Sequence, residues 1–295
     1  MNFDEIFSCK QITQSSLNLY KTKLRILNDN KSIKNINYLY DIEKIQDKIK
    51  HLKETTQRSY LISIVSVLAC LTKEDKKPPK KLKKLYQDYS KILDGYNSSL
   101  QDQTNENVDV ITKDEIAKVQ ERIKDNRDAN KQAYQDYVIL SLYTLIPPRR
   151  NKDYQLMKLI KKFNEDLSKD YNYYDGSKFY FNNYKTRGTY NLQEIEVPSD
   201  LKEILDFHIK ANNIKNDGYL LFDYKKQTEI KGTNGMTLIL NKIFKKKIGA
   251  SALRRAYLTN KYGHLQNELK EDTEAMATSK DMATNIYIKK IKKSI

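Results

Sequence analysis

The second half of the chain carries Arg150, Lys185, Arg254 and Tyr287 in that order, side chains of the types that break a phosphodiester without a metal. Such a cleavage needs cationic donors on the non-bridging oxygens. It needs a nucleophile in line with the leaving oxygen, and an acid for the departing 5′-oxygen. All must be held around one phosphorus. Arg150 stands in Pro147-Pro-Arg-Arg-Asn-Lys-Asp153, and Asp153, three residues on along an expected helix, is placed to brace its guanidinium. Arg149 competes for the role; Arg150 is preferred because it has the acid three residues on. Lys185 sits at the tip of an expected hairpin, a mobile place from which an ammonium can reach a leaving group, with Lys178 and Arg187 as neighbouring substitutes. Arg254 ends Ser251-Ala-Leu-Arg254, where Ser251, one turn earlier, can add a hydrogen bond to a phosphate. Tyr287 supplies the phenol. Singly, each has a plainer role: Tyr287 is one of 22 tyrosines, and surface exposure is the default for any arginine. Order and spacing together lift the set above that.

The same order resembles the signature of the tyrosine recombinase family, the integrases of phages and mobile elements. That signature is an arginine, a hairpin lysine, a His-x-x-Arg-like motif, a His or Trp, and a tyrosine. The resemblance implies that Arg150 is the first arginine, Lys185 the hairpin lysine, Arg254 the second arginine and Tyr287 the nucleophile. It covers most of the chain, because residues 10–93 look like the family's helical core-binding domain; no separate arm-binding domain is expected. Pro147-Pro-Arg-Arg-Asn151 is similar to the Pro-Pro-x-Arg-Asn pattern of integrases from virophages and large DNA viruses. Two positions depart from the family pattern. Ser251 stands at the usual histidine, and Thr278, nine residues before Tyr287, at the usual histidine or tryptophan. Both keep a hydroxyl, but neither is a base near neutral pH. A free tyrosine titrates near about 10, so another group, water or a phosphate oxygen, must take the Tyr287 proton.

The resemblance further implies a site-specific recombinase that integrates a mobile or viral genome. It would act on double-stranded DNA through a 3′-phosphotyrosyl link, as a homo-tetramer on two duplexes, with no cofactor, metal or ATP. Two rivals stay open: a type IB topoisomerase-like enzyme that relaxes one duplex, and a catalytically impaired DNA-binding relative.

Composition fits a polyanionic partner. The formal net charge is +16, and both halves of the chain are basic, which suits nucleic acid gripped from two sides. The abundance of Lys, Asn, Ile and Tyr also matches AT-rich coding, so part of the excess need carry no function. The DNA-contact candidates are Lys80, Lys81, Lys83 and Lys84 in a charge run, then Arg149, Arg187, Arg255 and the tail Lys289–Lys293. Cys9 and Cys70 form no CxxC pair, and His51, His208 and His264 are scattered, so no zinc site assembles from adjacent spacings. The thiols suit a reducing compartment. The N-terminus lacks a signal-peptide apolar core, and the longest apolar run, 60–71, is too short to span a bilayer. A soluble, intracellular protein located at DNA, in host or virion, is expected.

The elements that must position these residues are mainly α with a small β-hairpin or sheet, an α+β fold. The expected domains are 1–104, a helical clamp, and 105–295, the catalytic domain, joined by a polar linker at about 94–111. In the first, helices are expected over residues starting near Leu17, over about 36–52, over 59–71 capped by Thr55 or Thr56, and from the Pro78-Pro79 turn to about Leu93. In the second, Thr112-Lys-Asp-Glu115 is a capping box. Helices are expected over about 130–145, stopped by Pro147-Pro148, then over 151–162. Strands at 178–184 and 189–197 flank a Lys185–Gly188 turn. A helix from Ser199 carries Leu201, Ile204, Leu205 and His208 on one stripe, so His208 is a helix-face residue rather than a ligand. Helices over about 236–246, 251–262 and around Tyr287 complete the expectation.

Overall fold

A computed structural model describes residues 2–10, 12–74, 77–106, 111–232 and 234–288. The chain divides into two compact units, Met1–Asp109 and Val110–Ile295. The first is all helical and the second mixes helices with two small sheets, which makes the chain mainly α with a small β component. No helix among the described residues is long and apolar enough to cross a membrane.

The first unit begins with α1 (Phe3–Ile6) and α2 (Gln14–Leu27), whose first turn is capped by Thr13, its hydroxyl accepting from the Ser16 N–H at 3.2 Å. Leu17, Leu24 and Leu27 put one face of α2 into the core. After a 3₁₀ turn at Asn37–Tyr40, Asp41 caps α3 (Ile42–Ile49) through the Lys44 N–H. The two long helices α4 (Glu54–Glu74) and α5 (Lys80–Glu106) complete the unit. Leu61, Ile64 and Leu68 repeat at helical spacing and are fully buried, as is Tyr89, whose hydroxyl donates to the Leu39 carbonyl at 2.9 Å. Two expectations are corrected. Residues 94–106, read as linker, continue α5, because Ile92, Leu93 and Tyr96 still pack on this core while the polar residues between them face outward. Cys9 and Cys70 are not free thiols: they form a disulfide that ties the N-terminal segment to α4, which the 61-residue separation hid.

The second unit is built around α7 (Lys131–Thr144), which packs against α6 (Lys113–Asn126) and later helices. Thr112 caps α6, accepting from the Glu115 N–H, and Asn130 caps α7. The next helix, α8 (Asn151–Gln155), is five residues rather than the expected twelve. The chain leaves it for β1 (Lys158–Leu159), where Met157 and Ile160 are buried and the backbone bonds to neighbouring strands. β1 runs parallel to β2 (Tyr173–Tyr174), which pairs antiparallel with β3 (Lys178–Phe181), and that with β4 (Gln193–Glu196). Alternation sends Tyr174, Phe179 and Phe181 to the main core, while Tyr173 and Tyr180 join Ile160 and Phe163 on the other face. The hairpin is real but wider than expected. Its strands stop at Phe181 and resume at Gln193, and α9 (Arg187–Tyr190) occupies the connection.

Then come α10 (Ser199–Ala211), the small hairpin β5 (Phe222–Asp223) with β6 (Thr228–Glu229), and α11 (Gly235–Phe244). The long α12 (Ala250–Ala275) runs well beyond the expected end at 262. The short α13 (Lys280–Met282) leads into a π-helical turn at Ala283–Tyr287. His208 sits on the buried stripe of α10, with its Nε2 3.0 Å from the Leu220 carbonyl, and burial pushes its pKa down to about 4.

Candidate active site

The Pro147-Pro148 break delivers the next two residues to a cleft at the end of α7. Arg150 caps α8 in extended conformation and is half-buried. Arg149, just before it, is held from three sides. Its Nε donates to Asp153 Oδ2 at 2.9 Å, its Nη1 donates to Gln193 Oε1 at 2.8 Å, and its guanidinium lies 3.7 Å from the Phe181 ring centroid. Asp153 is 2% exposed, and burial raises its carboxyl above the ordinary range against the opposing pull of Arg149. The expectation that Asp153 braces Arg150 is therefore corrected: its guanidinium partner is Arg149. Because Arg150 occupies the extended cap position, the residue before it can fold back over the first turn and reach Asp153 at i+4.

Around this pair lies a cleft of about 280 Å³. Arg149, Arg150 and Asp153 form one wall; Tyr184, Thr186 and Tyr190 come from the β3–β4 connection and Gln193 from the start of β4; Arg254 comes from the second turn of α12. The structure thus brings together Arg150 and Arg254, two arginines far apart in the sequence. Since the charge of Arg149 is met by Asp153, Arg150 and Arg254 are the cations that the cleft can offer to an anion. Asp153 Oδ1 is buried with no hydrogen-bond partner among the described residues.

The other candidates lie outside the cleft lining. Lys185 is exposed, although its neighbours Tyr184 and Thr186 line the cleft. Ser251 is exposed on the first turn of α12. Thr278 is half-buried in the turn after α12, its N–H donating to the Thr273 carbonyl at 2.9 Å. Tyr287 closes the π-helical turn and is 55% exposed. Arg187 begins α9 and lines a separate hollow with Phe163 and Lys169; Arg255 is exposed on α12. In the other unit, Lys80, Lys81, Lys83 and Lys84 are exposed on the first turns of α5, and Lys81 Nζ lies 4.4 Å from the Tyr40 ring centroid. The tail 289–293 lies outside the described residues. Sequence reasoning missed Tyr184, Thr186, Tyr190 and Gln193. Their signal was weak, since each is an ordinary polar or aromatic residue near a turn.

No family model matches the sequence, and no curated protein does. Among solved structures, a crystal structure of XerA recombinase aligns over 88% of this chain and 81% of that chain, at 12% identity and a TM-score of 0.36. At that TM-score the likeness carries no argument about function.

Proposed function

We propose that the chain is a site-specific DNA recombinase that cleaves and rejoins duplex DNA through a tyrosine–phosphate ester. The observation that carries this reading is the cleft lined by both Arg150 and Arg254, beside an Arg149 that is ion-paired to Asp153. Two guanidinium groups that line one hollow, neither in an ion pair among the described residues, can neutralise the charge gathering on the two non-bridging oxygens of a scissile phosphate. Tyr287 passes its phenol proton to water or a phosphate oxygen and its oxygen attacks phosphorus; the bond to the 5′-oxygen breaks, and Lys185 gives that oxygen its proton. The products are a 3′-phosphotyrosyl ester and a free 5′-hydroxyl. Attack by the 5′-hydroxyl of a partner strand reverses the step, so the ester conserves the bond energy without ATP. Exchange between two duplexes calls for a homo-tetramer, and integration of a mobile or viral genome is the biological outcome that fits. Since Tyr287 does not line the cleft, the C-terminal segment must move for cleavage, or a second subunit must supply the tyrosine.

A library of nicked duplexes with randomised sequence tests this. The nick lets the freed fragment diffuse away, so the covalent complex accumulates and its DNA can be sequenced. The wild-type chain is expected to be trapped and Tyr287→Phe to form no adduct. An adduct that persists in Tyr287→Phe rules out the nucleophile. One observation favours a second reading, a catalytically impaired DNA-binding relative: Ser251 stands where the resembled family has histidine, and Thr278 where it has histidine or tryptophan. That reading expects tight, salt-sensitive DNA binding with no adduct from the wild-type chain.

A further inference from the structure

Helix α12 is anchored through its first two turns. Ala250, Leu253 and Ala256 are buried there, and after them Thr273 is the next buried residue of the helix. Between these anchors another face is open. Leu258 is 53% exposed, Tyr262 42% and Leu265 50%, and Leu269 is half-buried. The four are spaced four, three and four residues apart, the a/d repeat of a helix that packs along a second helix. Tyr262 and Leu269 take the a places and Leu258 and Leu265 the d places. One step outward in the same register, the next a place holds Arg255 and the next d place Asp272, both exposed.

We propose that this seam pairs antiparallel with the same seam of a second copy of the chain, in the absence of DNA. The charges choose the orientation. A parallel pair sets Arg255 against its own copy and Asp272 against its own copy, two like-charge layers at the ends of the seam. An antiparallel pair, in which a faces d, sets Arg255 against the partner's Asp272 at both ends. In that register Leu258 meets the partner's Leu269, and Tyr262 meets the partner's Leu265, so every apolar layer finds an apolar partner. The flanking g places agree: Lys261 of one helix lies beside the partner's Glu268. None of Arg255, Lys261, Glu268 or Asp272 is in an ion pair among the described residues. A two-fold contact of this kind is self-complementary and closed, so it stops at a dimer. It does not depend on the recombinase reading, because it rests on the surface of α12 alone.

Sedimentation of the full, DNA-free chain at tens of micromolar tests it, with circular dichroism of every variant as a check on folding. The wild-type chain is expected to be a dimer and Leu265→Asp a monomer. Arg255→Asp and Asp272→Arg, each alone, place like charges in both end layers and weaken association by about tenfold or more. The double variant Arg255→Asp/Asp272→Arg restores the opposite pairs and recovers the dimer. A monomeric wild-type chain overturns the proposal. So does a dimer that survives Leu265→Asp, a pair of single variants that associate normally, or a double variant that does not recover.

Discussion

Arg149 and Arg150 are adjacent and chemically identical, yet the structure gives them different surroundings. Arg149 is 15% exposed and ion-paired to a carboxylate that is 2% exposed. Removing one partner of such a pair leaves a buried charge without compensation, a loss of about 3 kcal/mol or more. Arg149→Met is therefore expected to lower the stability of the second unit by about 3 kcal/mol in urea unfolding, and adding Asp153→Leu should return much of it. Arg150→Met should leave the unfolding curve near the wild-type one and cut formation of the covalent adduct by about a hundredfold. Equal destabilisation by both substitutions would show that the two arginines share one structural role. At this scale the sequence picked out Arg150 and Arg254, and the structure places both in the lining of one cleft. It could not say which arginine Asp153 holds, since i+3 and i+4 are both one turn away on a helix. The choice depends on where α8 begins, and that is set by the Pro147-Pro148 break and the extended cap at Arg150.

Among the elements, those bounded by local chemistry were the readable ones. Thr112 and Asn130 cap their helices by their own side chains, and two prolines stop the chain after α7. Where long-range packing decides, reading failed. The polar stretch after Leu93 stays helical because Tyr96 reaches a core built by other helices, and α8 ends early because residues 157–160 are drawn into a sheet. The stripe on α10 was readable and has a testable consequence. His208 is wholly buried, held neutral against the Leu220 carbonyl, with a pKa near 4 against 6.5 for the free side chain. Above pH 6.5 the side chain is neutral in both states, and its contribution is fully present. As pH falls, the unfolded chain takes up the proton first, so stability is lost from 6.5 down to about 4 and then levels off. The loss amounts to about 3 kcal/mol. His208→Gln keeps a donor for the carbonyl and removes the titration. The difference in unfolding free energy between wild type and variant should therefore narrow or reverse as pH falls through this window. A difference independent of pH would mean that His208 is not held neutral.

At the scale of the whole molecule, the charge of +16 admits two explanations, a general attraction for any polyanion and a set of specific phosphate contacts. They predict different salt dependences. Each phosphate neutralised by a lysine or arginine releases condensed counterions and adds about 0.9 to the slope of log affinity against log salt on duplex DNA. If the exposed lysines at the start of α5 contact phosphates, the variant with Lys80, Lys81, Lys83 and Lys84 all changed to Gln should lose about 3 to 4 from that slope. A control variant that changes Lys210, Lys215, Lys225 and Lys226 to Gln removes the same charge from exposed sites on α10 and near the β5–β6 hairpin. It should lower the affinity slightly and leave the slope close to the wild-type value. Fluorescence anisotropy on a duplex at several salt concentrations measures all three slopes. If the two variants lose the same amount, the basic run on α5 is a solvated face, and the charge of the chain acts only as a diffuse field.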